Sequence, residues 1–145
     1  MAALVRKGCI EREQRQSSAD AELSSPPHLE SPRVLTEEQQ KAVAAYQTLA
    51  PGKGLLLWGI TGSGKTEVYL QLAAAELAAG RHVLLLTPEI GLIPQLVDRC
   101  RRRFGARVLE YHSGCRDRER LRAWQHCLEP DQPLVVVGTR SAMFM

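Results

Sequence analysis

A chain of 145 residues has room for one ordinary domain and no more. Hydrophobic residues at 44% and charged residues at 24% fit a globular protein and exclude a disordered or fibrous one. A net charge of +3 is too mild to argue for nucleic acid by itself, and no apolar run approaches the roughly 20 residues of a membrane span.

The chain opens with a short segment, residues 1–16. Leu4-Val5-Arg6-Lys7 reads as the end of a helix stopped by Gly8, with Cys9-Ile10-Glu11-Arg12 as a strand after it. The start has no long apolar core followed by small residues, so it is not a secretory signal, and the expected compartment is the cytoplasm. Residues 17–34 carry Ser17, Ser18, Ser24, Ser25, Pro26, Pro27, Ser31 and Pro32, the composition of a partly extended linker.

Order resumes at Leu35. Thr36-Glu37-Glu38-Gln39 is a capping box that opens a helix running to about Leu49, stopped by Pro51-Gly52. Gly54 to Trp58 is a short apolar run and predicts a buried strand. A helix is expected over residues 65–79, a strand over 82–87, a helix over 90–103 and a strand over 107–111. A helix over 117–128 and a strand over 134–137 complete the series. Nearly all-apolar strands alternating with helices mean a parallel sheet covered on both faces, an α/β architecture. The apolar ending Ser141-Ala142-Met143-Phe144-Met145 suggests a domain truncated in mid-sheet.

The sharpest motif lies between the first expected strand and the helix after it. Gly59-Ile60-Thr61-Gly62-Ser63-Gly64-Lys65-Thr66 matches the phosphate-loop pattern at every fixed position. Gly62 and Gly64 allow backbone conformations that a side chain would block. The loop amides and the helix N-terminus then face phosphate oxygens. Lys65 is expected on the β- and γ-phosphates and Thr66 on Mg²⁺. Hydrolysis needs a further carboxylate at the end of an apolar strand, the Walker B acid. Leu84-Leu85-Leu86 is followed by Thr87-Pro88, and Val135-Val136-Val137 by Gly138, so neither run supplies it.

Nine arginines lie between Arg99 and Arg122. They read equally as a solvated helix face or as a patch toward a polyanion. The four cysteines, Cys9, Cys100, Cys115 and Cys127, form no C-x-x-C pair and are expected as thiols. His112 with Cys115, and His126 with Cys127, are spaced too irregularly for a zinc motif.

Three further segments, taken with the phosphate loop, resemble one family. They are Thr87-Pro88-Glu89-Ile90-Gly91-Leu92-Ile93-Pro94-Gln95, Tyr111-His112-Ser113-Gly114 and Gly138-Thr139-Arg140-Ser141-Ala142-Met143-Phe144. Together they look like the first motor lobe of the PriA family (primosomal protein N-prime), bacterial replication-restart DNA helicases of superfamily 2. The resemblance covers about Leu35 to Phe144. It implies a partial P-loop, RecA-like lobe over residues 35–145, a winged-helix remnant over 1–16 and a joining linker over 17–34. It implies ATP and Mg²⁺ as cofactors and ATP-driven 3′-to-5′ unwinding of single-stranded or forked DNA. Primosome and single-strand-binding proteins are the partners it implies, with no membrane.

By the same resemblance Gln39 contacts adenine, a role compatible with its place in the capping box. Pro88, Glu89 and Gly91, with Gly138, Thr139 and Arg140, fall in motifs that touch the DNA backbone or relay the nucleotide state. For Arg140 a structural ion pair is an equal reading. The family's D-E-x-H box, zinc-binding cysteines and second lobe have no counterpart in the sequence, so its zinc is not expected from these residues. The chain by itself is expected to lack ATPase and unwinding activity. A stand-alone nucleotide-binding or interaction module is the competing reading. A small kinase would need a lid, and the sequence shows no sign of one.

Overall fold

The computed structural model describes residues 29–129 and 132–144. The expected winged-helix remnant over residues 1–16 and most of the 17–34 linker lie outside the described residues.

The first helix, α1 (Glu37–Gln47), begins where the capping box places it. The Thr36 hydroxyl accepts from the Gln39 amide at 3.3 Å, and the Gln39 side-chain oxygen accepts from the Thr36 amide at 3.0 Å. Two orphan donors of the first turn are thereby satisfied, and Glu37 and Glu38 complement the helix dipole. Helix α2 (Lys65–Ala78) follows the phosphate loop. Strand β1 (Val83–Leu86) comes next, then a 3₁₀ turn (Ile90–Leu92) that runs into α3 (Ile93–Phe104). Pro94 sits in the first turn of α3, where a missing N–H costs nothing. Strand β2 (Val108–Tyr111), helix α4 (Asp117–Cys127) and strand β3 (Val135–Gly138) follow, and a 3₁₀ segment covers Arg140–Phe144.

The sheet is parallel throughout, in the order β1-β3-β2. Val135 pairs with Val83 on one side and Val108 on the other, and Gly138 with Leu86 and Tyr111. The last strand is therefore central and wholly buried. Helices cover both faces. On one face α2 and α3 pack Leu70, Leu77, Ile93, Val97 and Cys100 against Val108, Val135 and Val137. On the other, Ala123 of α4 and Ala142 pack against Tyr111 and Val136. Each fully buried aliphatic side chain here, such as Ile93 or Val137, contributes about 1.5–3 kcal/mol. Burial also pushes the Cys100 thiol up to about 11, so it stays protonated and inert.

One expected strand does not form. Gly54 to Trp58 has no regular structure and pairs with no other backbone among the described residues. Leu56 is 82% exposed and Trp58 90% exposed, so the run is not buried either. A strand is defined by its neighbour, and apolar composition alone cannot supply one. The sheet among the described residues thus has three strands and not the four expected.

Candidate functional site

The phosphate loop owes its shape to its own residues. Gly62 (φ 86°) and Gly64 (φ 80°) occupy left-handed conformations, which cost a residue with a Cβ about 1–2 kcal/mol. Gly64 is the N-cap of α2 and provides no side-chain cap, which leaves the first-turn amides of α2 to face a ligand. The Lys65 ammonium donates to the carbonyl oxygens of Gly59 (2.6 Å) and Ile60 (2.7 Å), with the Ser63 hydroxyl at 3.5 Å. Thr66 is half-buried one residue further on. A lysine ammonium, a free helix N-terminus and a threonine hydroxyl form a donor set that fits a polyphosphate and its magnesium.

Gln39 belongs to the same site. Its side-chain amide donates to the Ser63 carbonyl at 3.1 Å. Thr36, Gln39, Trp58, Gly59 and Lys65 share the wall of a cavity of about 400 Å³. One glutamine thus closes the capping box with its oxygen and holds the phosphate loop with its nitrogen.

Glu67 is a site residue that the sequence reading missed, because an acid in a first helical turn reads as a dipole complement. Its Oε1 accepts from the Arg103 guanidinium (3.1 Å), the Arg33 amide (3.1 Å) and the Gln71 side chain (3.2 Å). Both members of the Arg103–Glu67 pair are largely buried. The residue after Thr66 is thereby tied to α3 and to the segment before α1. That segment, the end of the expected linker, lies fixed on the lobe. The Glu30 amide donates to the Arg102 carbonyl at 2.8 Å, and Gln71 donates to the Arg33 carbonyl at 2.8 Å.

The remaining candidate residues gather at the carboxyl end of the sheet, the rim where open α/β sheets bind ligands. Thr87 N–H donates to the Gly138 carbonyl at 2.9 Å, which brings Pro88 and Glu89 beside Thr139 and Arg140. Pro88, Glu89, Gly91 and Arg140 are exposed, and Thr139 is half-buried. Among the described residues Arg140 forms no ion pair. Gly138 has no room for a side chain. A Cβ there would lie 2.1 Å from the Tyr111 carbonyl oxygen and 2.7 Å from Ala142 Cβ. The phosphate loop reaches this rim through Lys65 and Thr66, which share a cavity of about 600 Å³ with Thr87 and Pro88.

A phosphate loop opening a helix against a parallel sheet defines a P-loop nucleotide-binding lobe. The DEAD/DEAH box helicase family model matches residues 36–145, and the chain belongs to that family. Among individual proteins, it is similar to the replication restart protein PriA of several bacteria. It is 41% identical to that of Synechocystis sp. over 98% of this chain and 17% of the relative. The Haemophilus influenzae protein is 40% identical over 98% of the chain and 20% of its own length. The Bacillus subtilis protein is 36% identical over 97% and 18%. The chain therefore spans about a fifth of the length of these relatives. Among the described residues no helix is long and apolar enough to cross a membrane.

Proposed function

We propose that this chain is the ATP-binding part of the first motor lobe of a PriA-like 3′-to-5′ DNA helicase, active in replication restart and primosome assembly in the cytoplasm. The observation that carries this reading is the juxtaposition of Lys65 and Thr66 with the Thr87–Pro88 rim of the sheet in one cavity. A motor needs its triphosphate and its track on connected elements, and this cavity joins the phosphate loop to the carboxyl end of the sheet.

In this reading Gly59, Ile60, Thr61, Gly62, Ser63 and Gly64 wrap the phosphates with backbone amides. Lys65 leaves the Gly59 and Ile60 carbonyls to neutralise the β- and γ-phosphates. The Thr66 hydroxyl is a ligand for Mg²⁺, which would supply charge neutralisation at the transferred group. Gln39, beside the loop, reads the adenine edge. Pro88, Glu89, Gly91, Gly138, Thr139 and Arg140 lie where a single-strand backbone would run, and they suit phosphate contact without base reading. The domain layout expected from the sequence, with a winged helix and linker ahead of the lobe, belongs to this proposal, as do the primosome and single-strand-binding partners. The proposal includes the expectation that the isolated chain neither hydrolyses ATP nor unwinds DNA.

The test is equilibrium binding of a fluorescent ATP analogue with Mg²⁺ to the chain and to Lys65→Ala. Saturable binding that weakens at least about 100-fold in the variant, roughly 2.7 kcal/mol, supports the reading. Equal binding by both chains refutes it. Steady turnover that disappears in Lys65→Ala would show that the isolated chain is active, against the expectation above.

A further inference from the structure

Among the described residues, one cluster of metal-ligating side chains lies outside the phosphate loop. Glu110 and His112 are two apart at the end of β2, so they project to the same side. A turn closed by the Cys115 amide on the His112 carbonyl (3.1 Å) folds the chain back. Cys115 is thereby placed beside them. A Glu110 carboxylate oxygen, a His112 ring nitrogen and Cys115 Sγ all lie within 4.8 Å of one another, and all three residues are half-buried. Glu110 Oε1 is 2.8 Å from His112 Nε2, and Cys115 Sγ is 3.8 Å from the Glu110 carbonyl oxygen. The cluster opens on a cavity of about 470 Å³ whose wall also carries Arg101, Arg122, Glu119 and His126.

We propose that Glu110, His112 and Cys115 form a Zn²⁺ site independent of the nucleotide site. The donor set decides the metal. One sulfur, one imidazole nitrogen and one carboxylate oxygen suit a borderline-soft ion, whereas Mg²⁺ and Ca²⁺ prefer oxygen alone. A carboxylate and a thiolate together neutralise the ion's two charges. Three protein ligands leave a position for water, the arrangement of an open zinc site.

Binding has a defined proton balance. His112 Nδ1 accepts from the Gly114 amide at 3.0 Å, so Nε2 carries the hydrogen toward Glu110. Zinc on Nε2 moves that hydrogen to Nδ1, and the Gly114 amide turns away. The Cys115 thiol, which burial holds above its ordinary value, releases its proton to solvent. The reach from Cys115 back to a glutamate on the strand explains why spacing of histidines and cysteines alone hides the site.

The test is a Co²⁺ titration of the full chain carrying Cys9→Ser and Cys127→Ser, which keeps Cys115 and the buried Cys100. The expected result is a thiolate-to-cobalt charge-transfer band at equimolar metal, bleached by Zn²⁺ and indifferent to Mg²⁺. Cys115→Ser in that background should abolish the band. His112→Asn should weaken cobalt binding by at least about tenfold with an unchanged far-UV spectrum. If that variant loses its fold, Glu110→Gln serves as the second ligand deletion with the same expectation. No band at equimolar metal, a band that survives Cys115→Ser, or full affinity in a folded ligand deletion overturns the site.

Discussion

The phosphate loop and the carboxyl-end rim both follow apolar runs, yet they are held in opposite ways. The loop hangs from residues 54–58, which pair with nothing among the described residues, and it keeps its shape through its own glycines, Lys65 and Gln39. The rim segments grow from paired strands, and their positions depend on the β1-β3-β2 register. A loop closed by local hydrogen bonds survives the loss of its neighbours, whereas a rim built by strand pairing does not. Local and non-local order coexist here around one cavity.

Four substitutions test that contrast. The largest effect is expected from Gly138→Ala, which drives a Cβ into the Tyr111 carbonyl between two paired strands. It should cost on the order of 4 kcal/mol or more, read as loss of a cooperative urea transition. A near-normal transition would mean that the rim is looser than its register implies. Next, Arg103→Ala strands the Glu67 carboxylate, although Arg33 and Gln71 still donate to it. A loss of about 3 kcal/mol in chemical denaturation is expected. It should also loosen the first turn of α2, visible as faster amide exchange at Glu67, whose N–H donates to the Gly64 carbonyl.

Thr36→Ala tests the local side. It removes one half of the capping box and should cost about 1 kcal/mol, with the sheet's amide protection unchanged. A sheet that exchanged faster as well would blur the distinction between the two regions. The smallest effect concerns Glu76, whose carboxyl is held below its ordinary value by the Arg81 guanidinium hydrogen bond, with Tyr46 also donating. A depressed folded value means stability that is present above the ordinary carboxyl range and lost as pH falls through the folded value. Glu76→Gln should therefore lower the neutral plateau of the thermal-stability profile slightly and flatten a small part of its acid limb, leaving stability below the folded value unmoved.

Much of this was legible in the sequence because it is encoded locally. Thr36 and Gln39 announce the start of α1, and Gly59 to Thr66 the loop itself, since each signal is satisfied within a few residues. The run Leu55-Leu56-Leu57-Trp58 misled for the complementary reason. Its composition suits a buried strand, but pairing is a property of what lies alongside. The central place of β3 was equally hidden, because strand order is set by crossovers and not by any residue of Val135–Gly138. Glu67 and the Glu110–His112–Cys115 cluster escaped for a third reason. Their partners are brought in by the packing of α3 or by one turn, and no spacing rule names them.

Gly64 has a consequence beyond its left-handed backbone. A Cβ there would lie 2.5 Å from the Gln39 side-chain nitrogen, the same nitrogen that holds the Ser63 carbonyl. The hydrogen atom of that glycine is the seat of the glutamine. Residues 39 and 64 are thus coupled in one direction: any side chain at 64 displaces the glutamine amide from Ser63, whereas a shorter residue at 39 leaves Gly64 undisturbed.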